Sequence, residues 1–254
     1  MKVINDITYE VKYPEQHLVD FVESFWMLEN QQDRAIPTVG LPDGRIDLFL
    51  FKSGTESFHI SLLGVGTEKH EKTIIPPKCK MFAVSFKLLA VEYILGESLA
   101  DIVNYGKQLP QYFWDFNEND LQDFSLFCQK ALQKITSLLP KEIDPRKQKL
   151  FELIYASKGE MAVQELAEQV CWSSRQINRY FNQQFGISLK AFCNVLRFRA
   201  SLPHIAQGKL APELNFTDQT HFIKEIKKFS GVVPKELFKN ENDRFILLST
   251  LTRK

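Results

Sequence analysis

Two short amphipathic segments separated by a tight turn, at residues 162–185, constrain the fold of this chain most strongly. Apolar residues of the first segment recur at i, i+3, i+4 and i+7, which predicts a short helix: Val163, Leu166, Ala167 and Val170. Ser173 and Gln176 fit an S-x-x-Q capping box that opens a second helix, and Gly186 can end it in the left-handed conformation. Two helices joined by about three turn residues have helix-turn-helix geometry.

The second of these helices has one apolar face and one polar face. The apolar residues follow fourfold spacing: Ile177, Phe181 and Phe185. The polar residues stand at i, i+3, i+4 and i+7: Arg175, Asn178, Arg179 and Asn182. Guanidinium forks match guanine and phosphate, and carboxamides match adenine, so this face could enter a major groove. A polar face is more often simply solvated, and the pattern alone does not decide between the two.

A second unit follows at residues 215–234. Phe222, Ile226 and Phe229 form its inward face. Its outward face carries Thr220, Lys224 and Lys227, with Gln219 and Lys228 beside them. Ammonium groups suit phosphate better than base edges, because they lack a planar fork. We therefore expect the first unit to read bases and the second to anchor the backbone. The candidate DNA-binding residues are Ser174, Arg175, Gln176, Asn178, Arg179, Asn182, Gln219, Thr220, Lys224, Lys227 and Lys228.

The run Asn215-Phe216-Thr217-Asp218-Gln219-Thr220-His221-Phe222, with the basic helix and Gly231-Val232-Val233-Pro234 after it, resembles the closing signature of AraC/XylS-type transcription regulators. Residues 174–186 resemble the recognition helix of that family's first unit, and Leu196-Arg197-Phe198-Arg199-Ala200 resembles its linker helix. The resemblance implies a sequence-specific regulator that binds double-stranded DNA, with RNA polymerase as a candidate protein partner. We expect Asp218 and His221 to be structural rather than catalytic.

Three positions depart from the family pattern. Pro203 falls inside the expected linker helix, and Pro212 falls inside the expected first helix of the second unit. Proline removes a helical hydrogen bond and clashes with the preceding turn, which predicts kinked or shortened helices. Asn215 replaces the glycine of the turn, a mild change because Asn tolerates left-handed backbone.

The N-terminal half predicts a β-rich domain. Segments 21–28 and 41–51 have strand composition around a Pro-Asp-Gly turn, and residues 59–65 and 80–86 predict further strands. We expect an α+β two-domain chain: a small sheet or barrel with helices, followed by an all-α domain. Residues 10–105 resemble the sensor-like domain that precedes AraC-type modules, which implies a small-molecule effector. The candidate ligand-binding residues are Trp26, Asp43, Arg45 and Asp47; turn residues and a sheet-end ion pair are the equally weighted alternative.

The sequence favours neither an enzyme nor a metal-binding cupin. A cupin site needs clustered imidazoles, whereas His17, His59 and His70 stand apart. Nucleophile elbow and phosphate-loop motifs are absent, and the four cysteines are scattered: Cys79, Cys128, Cys171 and Cys193. We therefore expect no cofactor, no metal and no catalysis.

Charge is divided between the two halves. Residues 1–145 hold 14 Lys and Arg against 21 Asp and Glu, a net charge of −7, whereas residues 146–254 hold 18 against 10, a net charge of +8. A basic half beside an acidic half is expected when only one of them meets a polyanion. Asp144 and Pro145 are good helix openers. We place the domains at 1–140 and 145–239, with a tail at 240–254.

Residues 120–139 carry a helical apolar stripe: Leu121, Phe124, Cys128, Leu132, Ile135 and Leu139. In the family that the chain resembles, a helix at this position often pairs subunits, which makes a homodimer through 120–139 one interpretation. The other, given equal weight, is that the helix packs on its own sheet.

No signal peptide or membrane-spanning run is visible, which predicts a cytoplasmic chain without a membrane partner. The alternative to a DNA-reading regulator is a signal-binding or interaction protein whose weakened second unit binds DNA without sequence preference. The sequence does not decide between activator and repressor.

Overall fold

The computed structural model describes residues 2–4, 6–68, 70–212, 216 and 218–252. Nine strands lie within these ranges: β1 Lys2–Ile4, β2 Ile7–Lys12, β3 Val22–Asn30, β4 Ile36–Gly40, β5 Ile46–Lys52, β6 His59–Leu63, β7 His70–Ile75, β8 Cys79–Phe86 and β9 Gly106–Gln108. The four predicted strands correspond to β3, β5, β6 and β8, and the other five were not predicted. Four of those five are short or lie at a sheet edge, where the period-2 signal is weak.

Seven strands form one antiparallel sheet in the order β1-β2-β3-β8-β5-β6-β9, and β4 and β7 form a separate hairpin. Alternation along β3 sends Phe25 and Met27 to one face and Trp26 and Leu28 to the other. The first face holds the main core of the N-terminal half. The second face is covered by β4 and β7 through residues such as Ile36 and Ile75. The predicted β-rich N-terminal part is therefore confirmed, as a sheet with a covering hairpin.

Eight α-helices occupy the described part of the chain: α1 Phe124–Leu138, α2 Pro145–Ala156, α3 Val163–Gln169, α4 Ser174–Phe185, α5 Leu189–Ala206, α6 Gln219–Ser230, α7 Pro234–Lys239 and α8 Ile246–Thr252. Asp144 caps α2 by accepting a hydrogen bond from the Arg146 amide at 2.9 Å, with Pro145 at the first helical position. The expected all-α C-terminal part is therefore present. No described helix is long and apolar enough to cross a membrane.

The predicted helix at 120–139 is α1, preceded by a short 3-10 turn at Glu118–Leu121. Its stripe is directed into the chain's own core, because Phe124, Phe127, Ala131 and Ile135 are all buried against the first face of the sheet. Leu126 is the large apolar side chain that this helix leaves exposed, at 61%. The packing matches the second interpretation of this segment, a helix that covers its own sheet.

The main core continues from the sheet into α2–α5. Phe86 at the end of β8 and Leu88 just after it belong to the same buried cluster as Phe151, Phe181 and Phe192 from the helices. Gly159 takes φ +75° in the turn that follows α2. A Cβ there would lie 2.4 Å from the Cys193 carbonyl oxygen of α5, so the close approach of this turn to α5 requires glycine.

Of the two effects predicted for Pro203, a kinked or a shortened linker helix, shortening does not occur. Helix α5 runs through the proline and ends at Ala206, and Leu202 and Ile205 on either side are buried. Tertiary packing of this strongly apolar helix outweighs the loss of one hydrogen bond. Pro212 lies in non-helical backbone, and the described residues between Ala206 and Gln219 contain no helix. Asn215 lies outside the described residues.

A second buried cluster forms around α6. It contains Phe222, Ile226 and Phe229, joined by Val195 and Phe198 from α5. Helix α5 therefore contributes residues to both cores. It packs against α4 on one side and against α6 on the other, and so connects the first unit to the second.

Candidate nucleic-acid interface

The first helix-turn-helix unit consists of α3, a turn and α4. Cys171 takes φ +54° in the turn, and Ser173 then caps α4. The Ser173 hydroxyl accepts from the Gln176 amide at 3.2 Å while the Gln176 side chain accepts from the Ser173 amide at 2.8 Å. The helix ends at Gly186, which has φ +68°. The predicted capping box and C-terminal stop are both confirmed.

The polar face of α4 combines exposed side chains with side chains that bind the chain itself. Arg175, Arg179 and Asn182 are exposed and project from the side opposite buried Ile177 and Phe181, and the Asn182 amide also donates to the Asn178 carbonyl at 2.8 Å. Two other candidates are held by the chain itself. Asn178 donates to the Ser174 carbonyl at 3.0 Å and accepts from the Leu189 amide at 3.3 Å, and Gln176 forms the capping box. Ser174 is half-buried at the first position of the helix.

The second unit presents a comparable stripe on α6. The exposed candidates are Gln219, Thr220, Lys224, Lys227 and Lys228. Asp218 caps this helix by accepting from the His221 amide at 2.8 Å, and the half-buried His221 ring contacts Phe216 edge to face. Both positions therefore have the structural contacts that the sequence predicted. Gly231 ends the helix with φ +79°.

The first unit docks on the N-terminal half by its rear side. The Tyr180 hydroxyl donates to Glu92 at 3.0 Å, and Lys147 also binds Glu92 at 2.5 Å. Burial, the Glu92 charge and this hydrogen bond all raise the pKa of Tyr180. At the C-terminal end of α4, the Leu99 amide donates to the Gln184 carbonyl at 2.9 Å. These contacts leave the polar stripe of α4 open to solvent.

The four candidate ligand-binding residues come together at one end of the second sheet face. Arg45 and Asp43 form an ion pair in which each side chain is only 14% exposed. The Trp26 indole donates to Ser85 at 2.9 Å and to Asp47 at 3.4 Å, and the Ser85 hydroxyl donates to Asp47. The alternative interpretation, turn residues with a sheet-end ion pair, describes Asp43 and Arg45 correctly.

The two buried carboxyl groups of this cluster differ in their protonation behaviour. Burial raises the pKa of Asp47, and the negative charge of Asp43 adds to the effect. Burial also acts to raise the pKa of Asp43, but Arg45, Arg199 and the hydrogen bonds from Arg45 together lower it. Burial raises the pKa of Tyr9, which stacks on Trp26 nearby, to about 12. Asp43 is thus the charged partner of Arg45, and Asp47 is the carboxyl group that favours its neutral form.

A cavity of about 460 Å³ opens beside this cluster, between the sheet, α5 and α8. Arg45 lines it together with Lys87, Lys158, Arg199 and Glu23, and Arg199 is ion-paired with Glu23 across the two halves. Ser24 also lines it, 2% exposed, and its hydroxyl has no hydrogen-bond partner among the described residues. Sequence reasoning missed the cavity because its walls come from distant parts of the chain. Arg199 was noted only as part of the linker pattern.

Among the described residues, no group of three or more His, Cys, Asp or Glu side chains could hold a metal ion. Burial raises the pKa of three cysteine thiols, Cys79 and Cys128 to about 12 and Cys193 to about 11. These thiols are therefore unreactive at neutral pH.

A helix-turn-helix unit formed by α3 and α4 is joined through α5 to a second amphipathic helix, α6, and both α4 and α6 have an open polar stripe, as recognition helices of helix-turn-helix domains do. Residues 166–240 match the model of a helix-turn-helix domain family, and residues 11–107 match a domain of unknown function. The C-terminal region is a helix-turn-helix domain of the AraC type, preceded by that uncharacterised domain. Domains of this type are found in DNA-binding transcription regulators.

Among solved structures, the chain is similar to ToxT from Vibrio cholerae. One ToxT structure at 1.65 Å resolution shares 15% identity with a TM-score of 0.45, over 92% of this chain and 98% of ToxT. A structure of ToxT bound to (E)-4-(8-methylnaphthalen-1-yl)but-3-enoic acid shares 13% identity with a TM-score of 0.47, over 96% of this chain and 99% of ToxT. No curated protein matches the chain.

Proposed function

We propose that this chain is a sequence-specific transcription regulator in which α4 reads bases in the major groove and α6 anchors the DNA backbone. The observation that carries the proposal is the exposed stripe of Arg175, Arg179 and Asn182 on α4. These are the side-chain types that recognise guanine and adenine edges, and nothing in the described chain covers them. Ser174, Gln176 and Asn178 border the stripe and hold the start of the helix in shape.

The anchoring role belongs to the second unit. Lys224, Lys227 and Lys228 supply three exposed positive charges on one helix, and Gln219 and Thr220 lie at its N-terminal end. Helix N-termini and lysines both suit phosphate oxygens. Binding through these groups would release counterions and weaken as salt rises.

Selection of binding sites from random duplex DNA by the full chain tests this proposal. We expect an enriched motif, and we expect its enrichment to disappear in the Arg175→Ala/Arg179→Ala variant. Arg34→Ala is the matched control, because Arg34 is an exposed arginine of the N-terminal half whose ion pair with Asp6 contributes little. Selection of the same motif by the double variant would contradict base reading by α4.

We further propose that an effector acts through the cavity beside the buried cluster. The cavity is lined by four cationic side chains and one anionic side chain, Glu23, so its lining is positive overall: the cations are Arg45, Lys87, Lys158 and Arg199. The Ser24 hydroxyl also lines the cavity and has no hydrogen-bond partner among the described residues. Leu196, Leu202 and Leu247 supply an apolar wall. This lining suits an organic anion with an apolar body, held against Arg45; Trp26, Asp43 and Asp47 would support Arg45 from behind.

Thermal unfolding with matched pairs of organic acids and their neutral amides tests the effector site. A bound anion should raise Tm by an amount that grows with the logarithm of its concentration above Kd, and Lys87→Ala should reduce the rise. Equal shifts with acid and amide, or an unchanged response in Lys87→Ala, would contradict an anion site.

The division into 1–140, 145–239 and 240–254 is a functional proposal: sensing, DNA binding and a tail. Pairing of two chains through 120–139 would have to use the exposed face of α1 around Leu126, since its stripe is already buried. RNA polymerase is the proposed protein partner of a DNA-bound chain, and the cytoplasm is where such a chain would act. We assign it no catalytic role.

The non-helical backbone at Pro212 favours one second candidate function. A weakened second unit would leave a signal-binding or interaction protein whose basic half binds DNA without sequence preference. The site selection separates the two: affinity for all duplexes without an enriched motif would support this candidate.

A further inference from the structure

Residues 240–252 of the C-terminal tail pack against the rest of the chain, although most of them lie beyond the helix-turn-helix match, which ends at residue 240. The tail begins with a 3-10 turn at Glu241–Asp243 and continues into α8. Phe245 is 1% exposed and Leu248 and Ser249 are fully buried, so α8 and the turn before it form a packed element.

One side of the tail belongs to the second helix-turn-helix unit. Phe245 and Leu248 are members of the buried cluster that also contains Phe222, Ile226 and Phe229. Asn240, at φ +41°, fixes the entry to the tail. Its side chain donates to the Ser249 hydroxyl at 2.6 Å and accepts from the Phe245 amide at 2.9 Å.

The other side of the tail belongs to the N-terminal sheet. Ile246 packs against the cluster on the second sheet face, which includes Ile7 and Leu28. The Val39 amide of β4 donates to the Arg244 carbonyl at 2.8 Å. Val39 and Leu41 also pack against the cluster of the second unit. The tail therefore contacts both the second unit and the N-terminal sheet, through apolar side chains and through a backbone hydrogen bond.

This attachment leaves the DNA-facing surfaces uncovered. Thr220, Lys224 and Lys227 on α6 are exposed, as are Arg175 and Arg179 on α4. The tail therefore does not hide either stripe. Its contacts restrict the position of the second unit relative to the N-terminal sheet, on which the first unit is also docked.

We propose that the C-terminal tail is an intramolecular clasp that fixes the second helix-turn-helix unit on the N-terminal sheet and so presents both units to DNA as one body. The functional part rests on the proposed DNA binding. A unit held in place meets the DNA at a higher effective concentration than one tethered only by its linker, and its orientation is set before binding. Binding to a full site should therefore depend on the tail, and binding to a half-site for the first unit should not.

Hydrogen exchange of the full chain tests the clasp without DNA. Ile246→Asp places a charge on the sheet side of α8 and should speed exchange of the Val39 amide about tenfold or more, because its bond to Arg244 opens. Leu251→Asp is the matched control, the same substitution on the same helix at a side chain that is 43% exposed. The Leu99 amide, bonded to Gln184 in the first unit, should stay protected in both variants. Unchanged protection of Val39 in Ile246→Asp would overturn the clasp.

Binding to full and half-site duplexes, cut from the selected motif, tests its consequence. Ile246→Asp should lose about tenfold in affinity for the full site relative to the half-site, and Leu251→Asp should lose nothing. Suppose that Ile246→Asp speeds exchange of the Val39 amide but binds the full site as tightly as the wild-type chain, or more tightly. That result would overturn the claim that the tail presents both units to DNA as one body. If the wild-type chain bound the half-site no better than an unrelated duplex, the proposed function itself would be contradicted. Failure of the clasp and failure of the proposed function are therefore distinguishable.

Discussion

The polar residues of α4 have two different roles, and the difference lies in single hydrogen bonds. Arg175 and Arg179 end in solvent, whereas Gln176 is bound to Ser173. We expect Gln176→Ala to lower the free energy of unfolding by about 0.5–1 kcal/mol, because the Ser173 amide loses its partner but remains open to water. Urea denaturation measures this. Unchanged stability together with altered base preference would assign Gln176 to DNA contact instead.

The buried carboxyl of Asp47 predicts a pH dependence of stability. Its pKa is raised above the ordinary 3.8 by burial, so the folded chain holds a proton there that the unfolded chain releases. Wild-type stability should therefore fall as pH rises from about 4 through the folded pKa. Asp47→Asn removes this contribution while its amide oxygen can still accept from Trp26 and Ser85. The stability difference between Asp47→Asn and wild type, from urea titrations between about pH 4 and 7, should grow with pH; a flat difference would contradict the raised pKa.

Local chemistry made several of these residues predictable. The caps at Ser173 and Asp144, and the stop at Gly186, depend on a side chain and its own neighbours in sequence. The engagement of Asn178 was not predictable in the same way. Its partner, the Leu189 amide, belongs to the next helix, and its spacing on α4 is the same as that of the exposed arginines.

At the scale of elements, docking of the first unit depends on the rear of α4. Tyr180→Phe removes the hydrogen bond to Glu92 and should lower the free energy of unfolding by about 1 kcal/mol. It should also speed exchange of the Leu99 amide, which bonds to the end of the same helix. Tyr112→Phe, at a tyrosine that is 69% exposed, is the control. Equal effects of the two variants would show that the Glu92 contact does not hold the unit.

Helix lengths depend on packing that a one-dimensional pattern does not contain. Pro203 predicted a kinked or shortened linker helix, yet α5 continues to Ala206, and Leu202 and Ile205 are buried on both sides of the proline. The strands show the same limit. Strands β3, β5 and β8 form the middle of the sheet and carry long apolar patterns, and those patterns predicted them. Short β1 and β9 at its edges exist only through their partners.

At the scale of the whole molecule, charge separation predicts the salt dependence of DNA binding. Residues 146–254 carry a net charge of +8, and we propose that lysines among them bind phosphate. Removal of each such lysine should reduce the slope of log K against log salt by about 0.9. Lys224→Ala/Lys227→Ala should therefore flatten the slope by about 2, measured by fluorescence anisotropy on one duplex. Lys52→Ala/Lys78→Ala, in the acidic half, should leave it unchanged. An unaltered slope in the first variant would exclude α6 from phosphate binding.

How the two halves pack against each other could not be predicted from the sequence. The continuous core that joins Phe86 to Phe181, and the cavity that joins Arg45 to Arg199, bring together residues that lie far apart along the chain. No periodicity or turn signal reports such contacts. The sequence could predict that each half folds, and which faces are apolar, but not which faces meet.

The ratio of affinities for the selected duplex and a shuffled duplex of the same composition tests base reading by α4 most directly. For the wild-type chain we expect a ratio of at least about 10³ at physiological salt. In the Arg175→Ala/Arg179→Ala variant it should fall by about two orders of magnitude or more, because the two guanidinium forks that read bases are removed, while affinity for the shuffled duplex changes little. A variant that retained the wild-type ratio would contradict the account.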